Sequence, residues 1–382
     1  MNGVEALELL DRGNKYDLVL LDVMMPKMSG YEVCERIRER YLPSELPVIM
    51  ITAKNQVVDL VQGLSYGAND FLSKPFSKTE FLARVKTHLR LANINAAYGR
   101  FVPHEFIRAL GHESIMDVKI GDQIERIISV LFTDIRSYTT LAEAMTPADN
   151  FQFINTYLGK MAPIIKAQKG IVSQFLGDGI MALFPESPAD SLRASIGMQK
   201  EILRYNEERK KSGWLPIRVG MGVHTGSLIM GIIGDQDRMD AGIISDTVNT
   251  ASRLEGLTKY FHASLVASED TFSYIENPDE FNHRILGKVQ VKGKKQPIGI
   301  YDFFDGDEPK LIEKKILTKA AFEEGLQAYF NKDFVLAMDA FASVLDRFPE
   351  DKTTSNYLKR TQRFIEEGVD DKWTGVETML YK

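Results

Sequence analysis

Ile128-Ser-Val-Leu-Phe-Thr-Asp134-Ile-Arg-Ser-Tyr138 and Ile171-Val-Ser-Gln-Phe-Leu-Gly-Asp178-Gly-Ile-Met-Ala-Leu-Phe184 are two apolar runs, each holding one acid where a buried strand ends. The β-branched residues of the first run predict a strand closing at Asp134, after which Thr139 to Gln168 reads as helix. Gly177-Asp178-Gly179 is a hairpin signal between two apolar strands. If that hairpin pairs beside the first strand, Asp134 and Asp178 converge. Close, unpaired carboxylates repel, so the arrangement calls for divalent cations, and carboxylate-bridged hard cations are the usual apparatus for moving a phosphoryl group. A single strand-terminal Asp is more often a turn or cap residue, so the pair gains its meaning from its neighbours.

Ser245-Asp-Thr-Val-Asn249-Thr-Ala-Ser-Arg253-Leu-Glu255 predicts a helix opened by a Ser or Asp cap. Asn249 and Arg253 are four residues apart and share one face, a polar pair suited to a phosphate. Upstream, Pro216-Ile-Arg218-Val-Gly-Met-Gly-Val-His-Thr-Gly226 and the run from Ser227 to Gly234 read as two strands around a glycine turn. Val289-Gln-Val-Lys292-Gly293 ends a further strand in a cation.

In this order, Phe-Thr-Asp-Ile, Leu-Gly-Asp-Gly, Arg-Val-Gly, Asp-Thr-Val-Asn-Thr-Ala-Ser-Arg and Val-Lys-Gly resemble the catalytic domain of the class III nucleotidyl cyclases, over about Gly121 to Phe304. The resemblance implies a ferredoxin-like, palm-type fold in which Asp134, Asp178 and the backbone carbonyl of Ile135 hold two Mg²⁺ or Mn²⁺ ions. Arg218 and Lys292 would contact the triphosphate, Asn249 would orient the ribose, and Arg253 would meet charge building on the α-phosphate. In the family, Asn249, Arg253 and Lys292 come from one chain and the metal acids and Arg218 from another. A homodimer is therefore implied.

The positions by which the family reads the purine depart from its pattern. Adenylyl members usually carry Lys with Asp or Thr there, and guanylyl members Glu with Cys; here they are Gln174 and Gly242. Ser245 also stands where the family's motif has Gly. A Gln amide both donates and accepts, so it suits adenine or guanine. A site with no dedicated partner for one base should discriminate weakly. The expectation is ATP cyclised to 3′,5′-cyclic AMP and pyrophosphate, with GTP as the alternative substrate and a catalytically silent nucleotide-binding or interaction module as the rival reading. A diguanylate cyclase is disfavoured because no Gly-Gly-Asp/Glu-Glu-Phe signature occurs.

The 382 residues, 44% of them hydrophobic, suffice for two or three domains with real cores. Fifty-three acids against 47 bases give a net charge of −6, which argues against nucleic acid as a partner. Cys34 is the one cysteine, so no disulfide framework exists and a reducing compartment fits. No run approaches the roughly 18 apolar residues of a membrane span, and no signal pattern follows Met1; the expectation is a cytoplasmic chain. The histidines are scattered without metal-site spacing, and His224 reads as structural.

Residues 1–90 alternate helix and near-continuous apolar strand, the pattern of a parallel sheet. Asp22, Thr52 and Lys74 each close a strand, on the rim where such sheets bind ligands. With Met24-Met25-Pro26 and Lys74-Pro75, this resembles a flavodoxin-like response-regulator receiver, in which Asp22 would be the phosphoacceptor and Thr52 and Lys74 its phosphate contacts. Such a domain implies a histidine kinase upstream if it is whole. The strand with the acidic, Mg²⁺-binding pair that opens a receiver is not found before Asp22. A truncated, non-phosphorylatable receiver is therefore expected, as from a start codon placed too late, unless a partner supplies what is missing.

Ser77-Lys-Thr-Glu80 is a capping box opening a helix toward Tyr98, and residues 91–123 read as a helical linker before a catalytic domain at 124–305. Residues 310–370 then read as helices, Lys319 to Asn331, Asp333 to Phe348 and Thr353 to Glu367. They look like a tetratricopeptide-type hairpin too short to form a solenoid, packed on its own chain or its dimer mate. The fold class is thus α/β followed by α+β, with a helical tail.

Overall fold

A computed structural model describes residues 2–12, 15–53, 64–99, 102–112, 115–235, 238–290, 296–370 and 372–378. The chain forms two compact units, Met1–Lys119 and Ile120–Lys382. Among the described residues, no helix is long and apolar enough to cross a membrane.

In the first unit, α1 (Gly3–Asp11) is opened by an Asn2 capping box, β1 (Val19–Asp22) follows, and α2 (Gly30–Arg38) is opened by Ser29. β2 (Val48–Thr52) lies between β1 and β3 (Asp70–Ser73), all parallel. Val33, Cys34, Ile37, Val48 and Met50 fill the core between α2 and this sheet. β1 is the edge of the described sheet and leaves Leu20 exposed. The expected helix between β2 and β3 falls largely outside the described residues. Ser77 caps α3 (Lys78–Tyr98), and a short α4 (His104–Ala109) follows.

Among the described residues, the second unit is built on a nine-stranded mixed sheet. At its centre β4 (Gln123–Ile135) pairs antiparallel along its whole length with β7 (Val219–Gly234), and on its other side with β6 (Gly179–Phe184), which is joined to β5 (Ile171–Leu176) by a tight turn. Between β4 and β5 come α5 (Tyr138–Glu143) and α6 (Pro147–Ala167), not the single helix expected over Thr139 to Gln168. The side chain of Thr146 caps the N–H of Asp149 and Pro147 takes the first turn, and together they start a new helix there. With α7 (Pro188–Lys211), α6 covers one face of the sheet, where Tyr157, Met161 and Leu192 meet Leu131, Met221 and Leu265.

β7 also corrects the sequence reading. It runs unbroken through Gly226, where a turn was expected, and turns back only after Gly234 to pair with β8 (Met239–Ile244). Gly226 is needed for close approach: a Cβ there would press on Thr247 of α8 (Asp246–Tyr260). α8 lies across the other face of β7, so near that a Cβ on Gly222 would collide with the backbone of Glu255. β9 (Leu265–Ser268), α9 (Glu269–Ser273), β10 (His283–Gln290) and β11 (Ile298–Phe303) complete the main sheet.

The tail comprises α10 (Pro309–Phe330), α11 (Phe334–Arg347) and α12 (Lys352–Glu367). α10 begins ten residues earlier than Lys319, the expected start, because Pro309 stands at its first turn. β12 (Glu377–Thr378) then adds to the edge of the sheet beside β10.

Candidate active site

The β4 register puts Thr133 opposite Ile180 of β6 and Asp134 opposite Gly220 of β7, so the strand delivers Asp134 beside the β5–β6 turn. That turn is Gly177-Asp178, with Gly177 at φ +66, a left-handed conformation that glycine adopts without strain. Asp178 Oδ2 accepts a hydrogen bond of 3.1 Å from the N–H of Ile135, which fixes the turn against the end of β4. The two acids therefore converge, as their positions in the sequence suggested. Burial, and next the charge of Asp134, push the Asp178 carboxyl up to about 6.

This pair has the chemistry of a hard-cation site: oxygen donors only, partly buried and mutually repelling. Among the described residues no three or more His, Cys, Asp or Glu side chains are grouped so that they could hold a metal ion, so ligands beyond this pair would have to come from backbone, water or substrate oxygens.

α8 brings to this place two charged residues that no sequence motif singles out. Lys259 Nζ stands 3.8 Å from Asp134 Oδ2, and Glu255 Oε1 accepts a 3.1 Å bond from Arg136 Nη1. Burial first, with Asp134 adding to it, pushes the Glu255 carboxyl up to about 7, against the pull of Arg136. Glu255 and Lys259 are four residues apart, so the stripe was present in the sequence; only the crossing of α8 over β7 shows that it faces Asp134.

Asn249 is exposed and Arg253 half-buried on the same helix. At about 100° per residue, their stripe lies roughly 120° around the helix from the Glu255 and Lys259 stripe. Arg218 is exposed just before β7, and its carbonyl accepts the N–H of Arg136 at 2.7 Å, so its side chain starts next to the acids. Gln174 is exposed on β5, at an irregularity in the pairing with β6. Gly242 is buried on β8, where a Cβ would press on Ile233. Lys292 lies outside the described residues.

In the first unit, the ends of the parallel strands bring Asp22, Thr52 and Lys74 together. Lys74 Nζ lies 2.5 Å from Asp22 Oδ2, and Thr52 closes the middle strand. Burial works to raise the Asp22 carboxyl, but Lys74 and the N–H of Met24 outweigh it and hold it below its ordinary value. His224 is buried, with Nδ1 2.8 Å from Ser268 Oγ, as befits a structural residue.

These arrangements agree with what the chain is similar to. Residues 122–303 match the family model of the adenylate and guanylate cyclase catalytic domain, and residues 1–86 that of the response regulator receiver domain. The chain thus carries a receiver domain followed by a class III cyclase domain. It is 39% identical over 212 residues to an adenylate cyclase of Anabaena cylindrica, a match covering 54% of this chain and 42% of that protein. It is 31% identical over 281 residues to the terminal-differentiation-specific adenylate cyclase of Dictyostelium discoideum, covering 71% of this chain and 13% of the other. The chain spans less than half the length of these relatives. The solved structure of a bacterial light-regulated adenylyl cyclase shares the fold, with a TM-score of 0.53 and 21% identity, covering 65% of this chain and 72% of that one.

Proposed function

We propose that this chain is a homodimeric nucleotide cyclase that converts ATP to 3′,5′-cyclic AMP and pyrophosphate. The observation that carries this reading is the convergence of Asp134 and Asp178 at the end of β4, with Asn249 and Arg253 on a stripe of α8 about 120° around the helix from the Lys259 stripe that faces Asp134. Two copies related by a two-fold axis would bring the α8 face of each to the carboxylates of the other, making two equivalent sites. Two divalent ions held by Asp134, Asp178 and the Ile135 carbonyl would lower the pKa of the 3′-hydroxyl and offset triphosphate charge. Arg218 and Lys292 bind the triphosphate, and Asn249 orients the ribose for in-line attack of the 3′-oxygen on the α-phosphorus. Arg253 donates to the charge that develops there as pyrophosphate leaves. The receiver is the input domain, and a histidine kinase is the partner class it implies if the domain is whole.

Guanylate cyclase activity is the second reading, favoured by Gln174 and Gly242 in place of a dedicated base reader. Gln174→Lys should shift the ratio of rates toward ATP and Gln174→Glu toward GTP. If neither variant moves the ratio, Gln174 does not face the purine. The reading as a whole is tested by incubating the purified protein with Mn²⁺ and either ATP or GTP and identifying the product by mass spectrometry. A cyclic nucleotide with pyrophosphate is expected; unchanged triphosphate in both reactions would support the silent module.

A further inference from the structure

The tail does not pack as a separate module. Leu254, Leu257 and Phe261, on and just after α8, share a core with Phe322, Leu326, Tyr329, Phe341 and Tyr357 of the tail. Thr353 Oγ1 donates to the carbonyl of Phe261, the residue that ends α8, and the Arg360 guanidinium lies 5.3 Å over the ring of Tyr260. Tyr357 donates its hydroxyl to the Leu286 carbonyl at 2.6 Å, at the point where the β10 ladder shifts register. β12 pairs with Val289 and Gln290, the last described residues before Lys292.

A buried ion network ties these contacts together. Arg284 of β10 bonds Asp351 at 2.6 Å and Asp302 at 3.2 Å; Lys315 of α10 bonds Asp302 at 2.8 Å and Asp307 at 2.7 Å. Ser264, just past α8, bonds Asp307 at 2.8 Å. Arg284, Lys315, Asp302 and Asp351 are all less than a twentieth exposed. Such groups are costly to bury, and breaking one partner would leave an uncompensated charge inside, so the network resists displacement of the tail from β10 and β11. It joins β10 through Arg284, β11 through Asp302 and the segment after α8 through Ser264 to the tail residues Lys315 and Asp351. None of these contacts touches Asp134 or Asp178.

We propose that the tail helices, residues 309–367, are a clamp that positions α8, the half of the shared site carrying Asn249 and Arg253, and so sets the catalytic rate. Thr353 and Tyr357 are its positioning residues. This inference rests on the two-chain cyclase reading above.

The test is the full-length double variant Thr353→Val/Tyr357→Phe, which keeps both side-chain shapes and removes both anchoring hydroxyls. A small displacement of groups that act in the transition state costs rate, so kcat should fall about tenfold or more with a folded, cooperative melt. Thr353→Ser in place of Thr353→Val should recover most of the loss. Lys314→Ala, which removes the exposed tail pair with Glu350, should change nothing.

The decisive arm is mixing. Under subunit exchange the double variant should regain activity with Asp134→Ala, whose α8 half is sound. It should gain nothing with Arg253→Ala, which shares its defect. Restoration by both or by neither, with exchange shown independently, overturns the clamp, as does an unchanged kcat in the double variant. If Asp134→Ala and Arg253→Ala fail to complement each other, it is the two-chain reading that falls, and the kcat arm alone then decides the clamp.

Discussion

Asp134→Asn and Asp178→Asn should each reduce turnover by at least about 10³-fold, because an ion that stabilises transition-state charge is worth several kcal/mol and each 1.4 kcal/mol is tenfold in rate. The fold should survive. Neither acid is fully buried, and an Asn amide at 178 can still accept the N–H of Ile135 through its carbonyl oxygen. Removing one of two repelling carboxylates also relieves the repulsion that, after burial, helps push the Asp178 carboxyl up to about 6. In the absence of metal, the variants should therefore melt no lower than wild type. Adding Mn²⁺ should raise the melting temperature of wild type by mass action and leave that of the variants nearly unmoved. Full activity in either variant, or an equal Mn²⁺ shift in all three proteins, would contradict a cation site at this pair.

Arg253→Ala is expected to cost on the order of 10²-fold or more in kcat, as for other donors aimed at charge that exists only in the transition state. The Michaelis constant should change much less, because an interaction made mainly in the transition state contributes little to ground-state binding. Arg253→Lys should rescue poorly, since an ammonium cannot reproduce the planar fork of a guanidinium. Steady-state kinetics over a range of ATP distinguishes these outcomes. A variant that weakens binding while keeping kcat would place Arg253 on the ground-state triphosphate instead.

Much of the fold was legible because local signals agreed with the tertiary structure. Asp134 closes a buried strand as expected, whereas β5, which leads to Asp178, ends in the exposed Gln174, Phe175 and Leu176; the Gly177 turn falls where its residues predict it, and Ser245 caps α8 through the N–H of Thr247. The receiver strands at Val48–Thr52 and Asp70–Ser73 were equally plain.

What escaped was decided by contacts between distant segments. Gly226 looks like a turn residue, yet it serves the approach of α8 to a continuous β7. Glu255 and Lys259 carry no motif, and only the crossing of α8 over Gly222 brings their stripe to Asp134. The network of Arg284, Asp302, Asp307, Lys315 and Asp351 draws on strands and tail helices far apart in the chain, and no spacing rule announces it.

The central claim is that a complete site takes its acids from one chain and Arg253 from another, and mixing two inactive proteins tests it most directly. Neither Asp134→Ala nor Arg253→Ala forms a homodimer with a complete site. In a mixed dimer one site collects both lesions and the other none. Random exchange of equal amounts makes about half the dimers mixed, each with one sound site of two, so activity should recover to about a quarter of wild type. A mixture that stays as inactive as its components, while exchange is demonstrated by a separate label, would place the whole site within one chain.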